Sequence, residues 1–150
     1  MEYKVTTTSE EETILLAQNF ESEKFPNMVI CLTGDLGSGK TVFAKAFAAS
    51  MAIEETITSP TFNIIKEYES AEGKLFHMDV YRLADKEEDL GIEEYFKKKG
   101  VCIIEWADLI EDRLPKNRLD ITIKIINETT RVFVFTPRGE KYEDLCQRVL

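Results

Sequence analysis

Met28 to Met51 reads MVICLTGDLGSGKTVFAKAFAASM, and this stretch decides the fold. Its opening run, Met28-Val29-Ile30-Cys31-Leu32, is apolar without alternation. Such a run reads as a strand buried on both faces, as in a parallel sheet covered by helices. Gly34-Asp35-Leu36-Gly37-Ser38-Gly39-Lys40-Thr41 follows and matches the spacing G-x-x-x-x-G-K-S/T of a phosphate-binding loop. Val42, Phe43, Ala46, Phe47 and Met51 then recur at helical spacing, so the loop ends at a helix N-terminus.

Each residue type in the loop answers a physical need. Three glycines allow positive φ and bring backbone N–H groups close to phosphate oxygens, with no Cβ in the way. The helix start adds unpaired N–H groups and the positive end of its dipole. Lys40 reaches β- and γ-phosphates, and the Thr41 hydroxyl ligates Mg²⁺. The residues from Gly34 to Thr41, Leu36 included, are therefore expected to line a nucleotide site.

Composition bounds the rest. At 150 residues the chain is expected to form one domain, burying roughly two thirds of its unfolded surface. No apolar run approaches a membrane span, and Met1-Glu2-Tyr3-Lys4 lacks the layout of a signal peptide, so a cytoplasmic location is expected. Cys31, Cys102 and Cys146 have no C-x-x-C spacing, and two lie in apolar runs. They read as core thiols in a reducing compartment. The net charge of −9 argues against unaided binding to the phosphate backbone of DNA or RNA.

Before the loop, Tyr3 to Thr8 is β-prone and reads as an edge strand. Ser9-Glu10-Glu11-Glu12 has capping-box spacing and opens a helix to about Glu23, with Ile14, Leu15, Ala17 and Phe20 expected on its buried face. After the loop helix, Thr58-Ser59-Pro60-Thr61-Phe62 puts hydroxyls on both sides of a proline, where many nucleotide-binding proteins carry a γ-phosphate-sensing segment; a bare serine-threonine turn fits the same residues equally well. Phe62 to Tyr68 and Leu75 to Tyr81 read as a hairpin with a longer loop, Glu69 to Lys74. Ala84 to Lys99 reads as two short helices broken at Gly91, and Gly100 as the residue that ends the second. Leu119, Ile121, Ile123 and Ile125 alternate with polar residues, and Arg131 to Thr136 returns antiparallel. Pro137-Arg138-Gly139 then leads into an amphipathic helix with Tyr142, Leu145, Cys146 and Val149 inside. There are no internal repeats. The expected fold is α/β: a three-layer P-loop NTPase sandwich on a mixed sheet, with parallel core strands and antiparallel hairpins.

Two acids compete for the metal-side role. Val101-Cys102-Ile103-Ile104 is a second continuous apolar run, and Glu105-Trp106 closes it. An acid at the end of such a strand, beside a phosphate loop, is the Walker B arrangement. Asp79 ends the strand in which Leu75, His77, Asp79 and Tyr81 share one face and Phe76, Met78 and Val80 the other. Glu105 is preferred because its run looks like a core parallel strand, whereas Asp79 sits on an alternating hairpin strand. A merely structural Glu105 would need a cation, since burying it alone costs several kcal/mol. His77 is the only histidine, and a lone histidine is more often structural than catalytic.

Together, Gly34-Asp35-Leu36-Gly37-Ser38-Gly39-Lys40-Thr41, Ser59-Pro60-Thr61-Phe62, His77-x-Asp79-x-Tyr81-Arg82-Leu83 and Glu105-Trp106 resemble the TsaE (YjeE) family of small bacterial P-loop ATPases. The resemblance extends over most of the chain. It implies binding of ATP and Mg²⁺, slow hydrolysis by the protein alone, and docking on a TsaB-like and TsaD-like assembly. That assembly makes N6-threonylcarbamoyladenosine at position 37 of tRNAs reading ANN codons, with the ATPase supporting repeated turnovers. By the same resemblance, Lys40 and Thr41 serve phosphate and Mg²⁺, and Thr61 belongs to a switch-like loop. Asp79 lies near the γ-phosphate, Glu105 is a metal-side acid, and Trp106 supports the site. Contact with tRNA would come through the partners, which suits the acidic composition.

A small-molecule kinase shares the loop but needs a lid of arginines, and Arg82, Arg113, Arg118, Arg131 and Arg138 are scattered. A GTPase needs a guanine-reading Asn/Thr-Lys-x-Asp loop, which is not found here. A nucleotide-gated binding module without turnover is the third alternative. For the ATPase, the catalytic residues expected are Lys40, Asp79 and Glu105, with no obvious water-activating base. The adenine pocket is expected at the ends of the sheet near Thr8, Ser9 and Thr136.

Overall fold

The computed structural model describes residues 1–35, 37–55, 65–81 and 91–150. Leu36, the segment around Thr61, and Arg82 to Leu90 with the first of the two expected helices lie outside the described residues. Among the described residues seven strands form one mixed sheet: β1 (Tyr3–Thr7), β2 (Val29–Gly34), β3 (Ile65–Ser70), β4 (Gly73–Asp79), β5 (Val101–Glu105), β6 (Arg118–Ile125) and β7 (Arg131–Arg138). Their order across the sheet is β1-β7-β6-β2-β5-β4-β3. The two apolar runs, β2 and β5, are parallel neighbours near the middle, where both faces are covered. β6 and β4 flank them, also parallel. Antiparallel hairpins β3–β4 and β6–β7 and the edge strand β1 complete the sheet.

Helices α1 (Glu10–Ser22), α2 (Lys40–Ser50) and α4 (Glu140–Val149) cover one face, and α3 (Ile92–Tyr95) with 3₁₀ turns over Ala107–Arg113 covers the other. The larger core lies under the first set. There Phe20 stacks on Phe135 with ring centroids 5.0 Å apart, and Phe43, Phe47 and Phe133 are fully buried. The smaller core joins Val29, Cys31, Phe76, Met78, Cys102 and Ile104. Cys31, Cys102 and Cys146 are buried free thiols, and burial pushes the Cys102 thiol up to about 12.

Several local expectations need correction. Ser9 does cap α1, accepting from the Glu12 amide at 3.2 Å, while the Glu12 carboxylate turns back to the Thr8 amide and hydroxyl. The buried face of α1 is rotated from the expected one: Thr13, Leu16, Ala17 and Phe20 are inside, and Leu15 is 56% exposed. The β3–β4 turn is tight, with only Ala71 and Glu72 between the strands and Gly73 at φ 125°. Gly91, the expected break, stands as the N-cap of α3. Gly100 lies five residues past α3, at φ 142°. A Cβ there would stand 2.8 Å from both the Lys74 carbonyl and the Phe76 ring, so it is close packing on β4 that demands glycine. β7 runs on through Pro137 to Arg138, past the end of its pairing with β1 at Phe135.

Candidate functional site: a phosphate loop backed by a buried acid

β2 delivers its loop to the C-terminal ends of the parallel strands, the edge where α/β sheets place ligands. Gly37 and Gly39 adopt φ of 81° and 112° there, as the motif requires. Gly34 does not share that reason. A Cβ on it would stand 2.6 Å from Ser38 Oγ and 2.7 Å from the Ile123 carbonyl, so its glycine is needed for space, not for positive φ. α2 starts at Lys40 with no side-chain cap, which leaves its first N–H groups facing the loop.

Lys40 is buried and folded back on the loop. Its Nζ donates to the carbonyls of Gly34 and Asp35, at 2.5 and 3.0 Å, and lies 4.0 Å from the centre of the Trp106 ring. Burial pushes the ammonium below the usual lysine range, and the carboxylates of Glu105, Asp79, Asp35 and Asp108 offset part of that. Trp106 itself sits at φ 63°, a left-handed conformation uncommon for a large side chain. The turn aims its ring at Lys40, and Tyr81 packs on the same ring at 4.9 Å between centroids.

The register places Leu32, Glu105 and Asp79 side by side on β2, β5 and β4. Asp79 therefore also ends a strand parallel to β5, and strand type does not separate the two acids as expected from the sequence. Surroundings do. Glu105 is buried, with Oε1 accepting from the Thr41 hydroxyl at 3.2 Å and Oε2 at 2.6 Å from His77 Nε2. The cation that a buried Glu105 seemed to need is replaced by an imidazole donor, and the lone histidine is joined to the site. Asp79 is half-buried and accepts from the Tyr81 amide at 3.1 Å. Burial raises its pKa, the Tyr81 amide opposes that, and the Glu105 charge adds to the rise.

Sequence reasoning missed Arg131, counted only among scattered arginines. From the start of β7 it donates to the loop carbonyls of Ser38 and Gly37 at 3.1 and 3.2 Å, and to Asn127 and Thr130 carbonyls at 2.6 and 3.0 Å. No local pattern marks it; only the β6–β7 register brings it to the loop. Beside it, Thr8, Ser9, Gly37, Gly39, Val42 and Arg131 help to line a cavity of about 360 Å³. Thr136, by contrast, pairs with Asp120 in the body of the sheet and lies outside that lining. A larger cavity of about 660 Å³, lined by Phe25, Phe76, Val101 and several lysines, lies at the opposite end of the parallel strands, away from the loop.

A family model described as threonylcarbamoyl adenosine biosynthesis protein TsaE matches residues 7–133. The chain belongs to the TsaE family. The tRNA threonylcarbamoyladenosine biosynthesis protein TsaE of Bacillus subtilis is 47% identical over 146 residues, covering 97% of this chain and 92% of that protein. The protein of the same name from Rickettsia bellii is 36% identical over 127 residues, covering 83% of this chain and 88% of its own. The crystal structure of YdiB from Bacillus subtilis superposes with a TM-score of 0.83 at 42% identity, over 99% of this chain and 94% of that one. The mixed α/β architecture is thus shared with the solved YdiB structure, and the His77, Glu105 and Trp106 cluster belongs to a TsaE-family chain.

Among the described residues no group of three or more His, Cys, Asp or Glu side chains forms a metal cage, and no helix is long and apolar enough to cross a membrane. The oxygens that are present, the Thr41 hydroxyl and the Glu105 carboxylate, suit a hard cation that takes its remaining ligands from phosphate and water.

Proposed function

We propose that this chain is a Mg²⁺-dependent ATPase of low intrinsic activity, acting with TsaB-like and TsaD-like partners to form N6-threonylcarbamoyladenosine at position 37 of tRNAs reading ANN codons. One observation carries the reading: the glycine loop, Lys40, Thr41 and Glu105 converge at one end of the parallel strands in a TsaE-family chain. The names of its relatives supply the tRNA modification.

The loop amides and Lys40 take the polyphosphate oxygens, and the ammonium leaves the Gly34 and Asp35 carbonyls to do so. Mg²⁺ would neutralise charge building on the β- and γ-phosphates. Thr41 and Glu105 are the residues that would hold it. Ser9 and the cavity beside Gly37 and Gly39 take the base and ribose. Asp79, with its raised proton affinity, is the acid best suited to accept a proton from attacking water. A donor from the partner would complete the site, which accounts for slow turnover without one. Tyr81, Leu109, Ile125 and Ile126 are exposed apolar side chains at or just past the ends of β4, β5 and β6, and they suit a partner seated over this end.

The test is mass spectrometry of tRNA from cells lacking the protein. The modified adenosine is expected to fall, to return with the wild-type chain, and to stay low with Lys40→Ala. Unchanged modification in the deletion strain would overturn the reading.

A further inference from the structure

His77 is fully buried on β4, opposite Lys66 on one side and Ile103 on the other. Its Nε2 lies 2.6 Å from Glu105 Oε2, while its Nδ1 is buried with no hydrogen-bond partner among the described residues. Among the described residues, the ring thus makes one polar bond, the one to Glu105. A buried polar atom left unpaired costs about 1–3 kcal/mol, a penalty that Leu or Met would avoid at the same position. Filling the core therefore does not account for an imidazole; donation to Glu105 does.

An ionised carboxylate only accepts, so Nε2 is the atom that donates to it. That bond divides the two oxygens of Glu105: Oε2 is held toward β4, and Oε1 is left facing the Thr41 hydroxyl on α2. We propose that His77 is a positioning residue that fixes the Glu105 carboxylate with Oε1 turned to Thr41, and so sets the affinity of the site for a divalent cation. The inference rests on the nucleotide and Mg²⁺ reading above. Groups that orient a metal-side ligand in this way are generally worth about 10–100-fold in metal affinity.

The experiment uses Mn²⁺ as the probe, measured by electron paramagnetic resonance with ADP present, and ADP binding in EDTA measured by calorimetry. His77→Leu is expected to weaken Mn²⁺ binding about 10–100-fold while metal-free ADP affinity stays within about twofold. His77→Gln, whose amide can donate from a similar place, is expected to recover most of the loss. Undiminished Mn²⁺ binding in His77→Leu, or a Gln variant no better than Leu, would overturn the proposal. So would a wild-type protein that binds ADP but no Mn²⁺. If the Leu variant does not fold, ¹⁵N NMR of the wild type decides, because the chain has a single histidine. The Nε2–H tautomer is expected, and the Nδ1–H tautomer or an averaged mixture would contradict the bond to Glu105. Failure of wild-type protein to bind ADP in EDTA counts against the nucleotide reading instead, and the tautomer still judges His77.

Discussion

Glu105 and Asp79 stand next to each other in register, yet one carboxylate has two partners from other elements and the other is left half in water with a backbone amide. For Asp79 the consequence is a pH effect of known sign. Its folded pKa is raised by burial, so the ionised form costs stability above that pKa, and the cost vanishes once the group is protonated in both folded and unfolded chains. Asp79→Asn is accordingly expected to raise the melting temperature of nucleotide-free protein in EDTA at pH 7. The gain should shrink as pH falls through the raised pKa toward the ordinary aspartate value. A variant that melts below wild type at pH 7, or a gain that grows with acidification, would contradict this. At this scale the sequence was informative about residue types and weak about partners. The acids at strand ends could be named from the run that precedes each one. That His77 would donate to Glu105 depends on β4 lying parallel beside β5, a pairing no spacing rule announces.

Among the elements, the glycine-rich turn and the helix after it were readable because a strict motif sits between a continuous apolar run and a 3.6-residue period. The α1 surface was misjudged by one position because Ile14, Leu15 and Leu16 are consecutive apolar residues and periodicity alone cannot say which faces in. The loop's support was not legible at all, since it comes from β7, more than ninety positions away in sequence. Arg131 ties two loop carbonyls to two carbonyls of the β6–β7 turn, which pins the loop to the end of β7. Removing a charged donor shared among four acceptors should cost about 1–3 kcal/mol. Arg131→Ala is therefore expected to lower the melting temperature by several degrees and to weaken ADP binding about tenfold, with Arg131→Lys intermediate. Thermal denaturation and a fluorescent-ADP titration check both halves. Wild-type ADP affinity in the alanine variant would show that the loop holds its shape without this tether.

For the whole molecule, a parallel core flanked by two hairpins gathers loop, acids, tryptophan and the exposed apolar residues at or past the ends of β4, β5 and β6 at one end. The architecture was foreseeable from the two buried runs and the two alternating pairs, but strand order was not, because order is set by packing between distant segments. The proposed access to tRNA through partners accords with a net charge of −9, which opposes unaided binding to a phosphate backbone. All of this depends on a polyphosphate being held by the loop and by Lys40. Titration calorimetry with ADP and Mg²⁺ tests that most directly, comparing wild type with Lys40→Ala. One saturable binding event per chain is expected, weakened at least about 100-fold by the substitution. An absence of heat with the wild type, or equal affinity in the Lys40→Ala variant, would contradict the account.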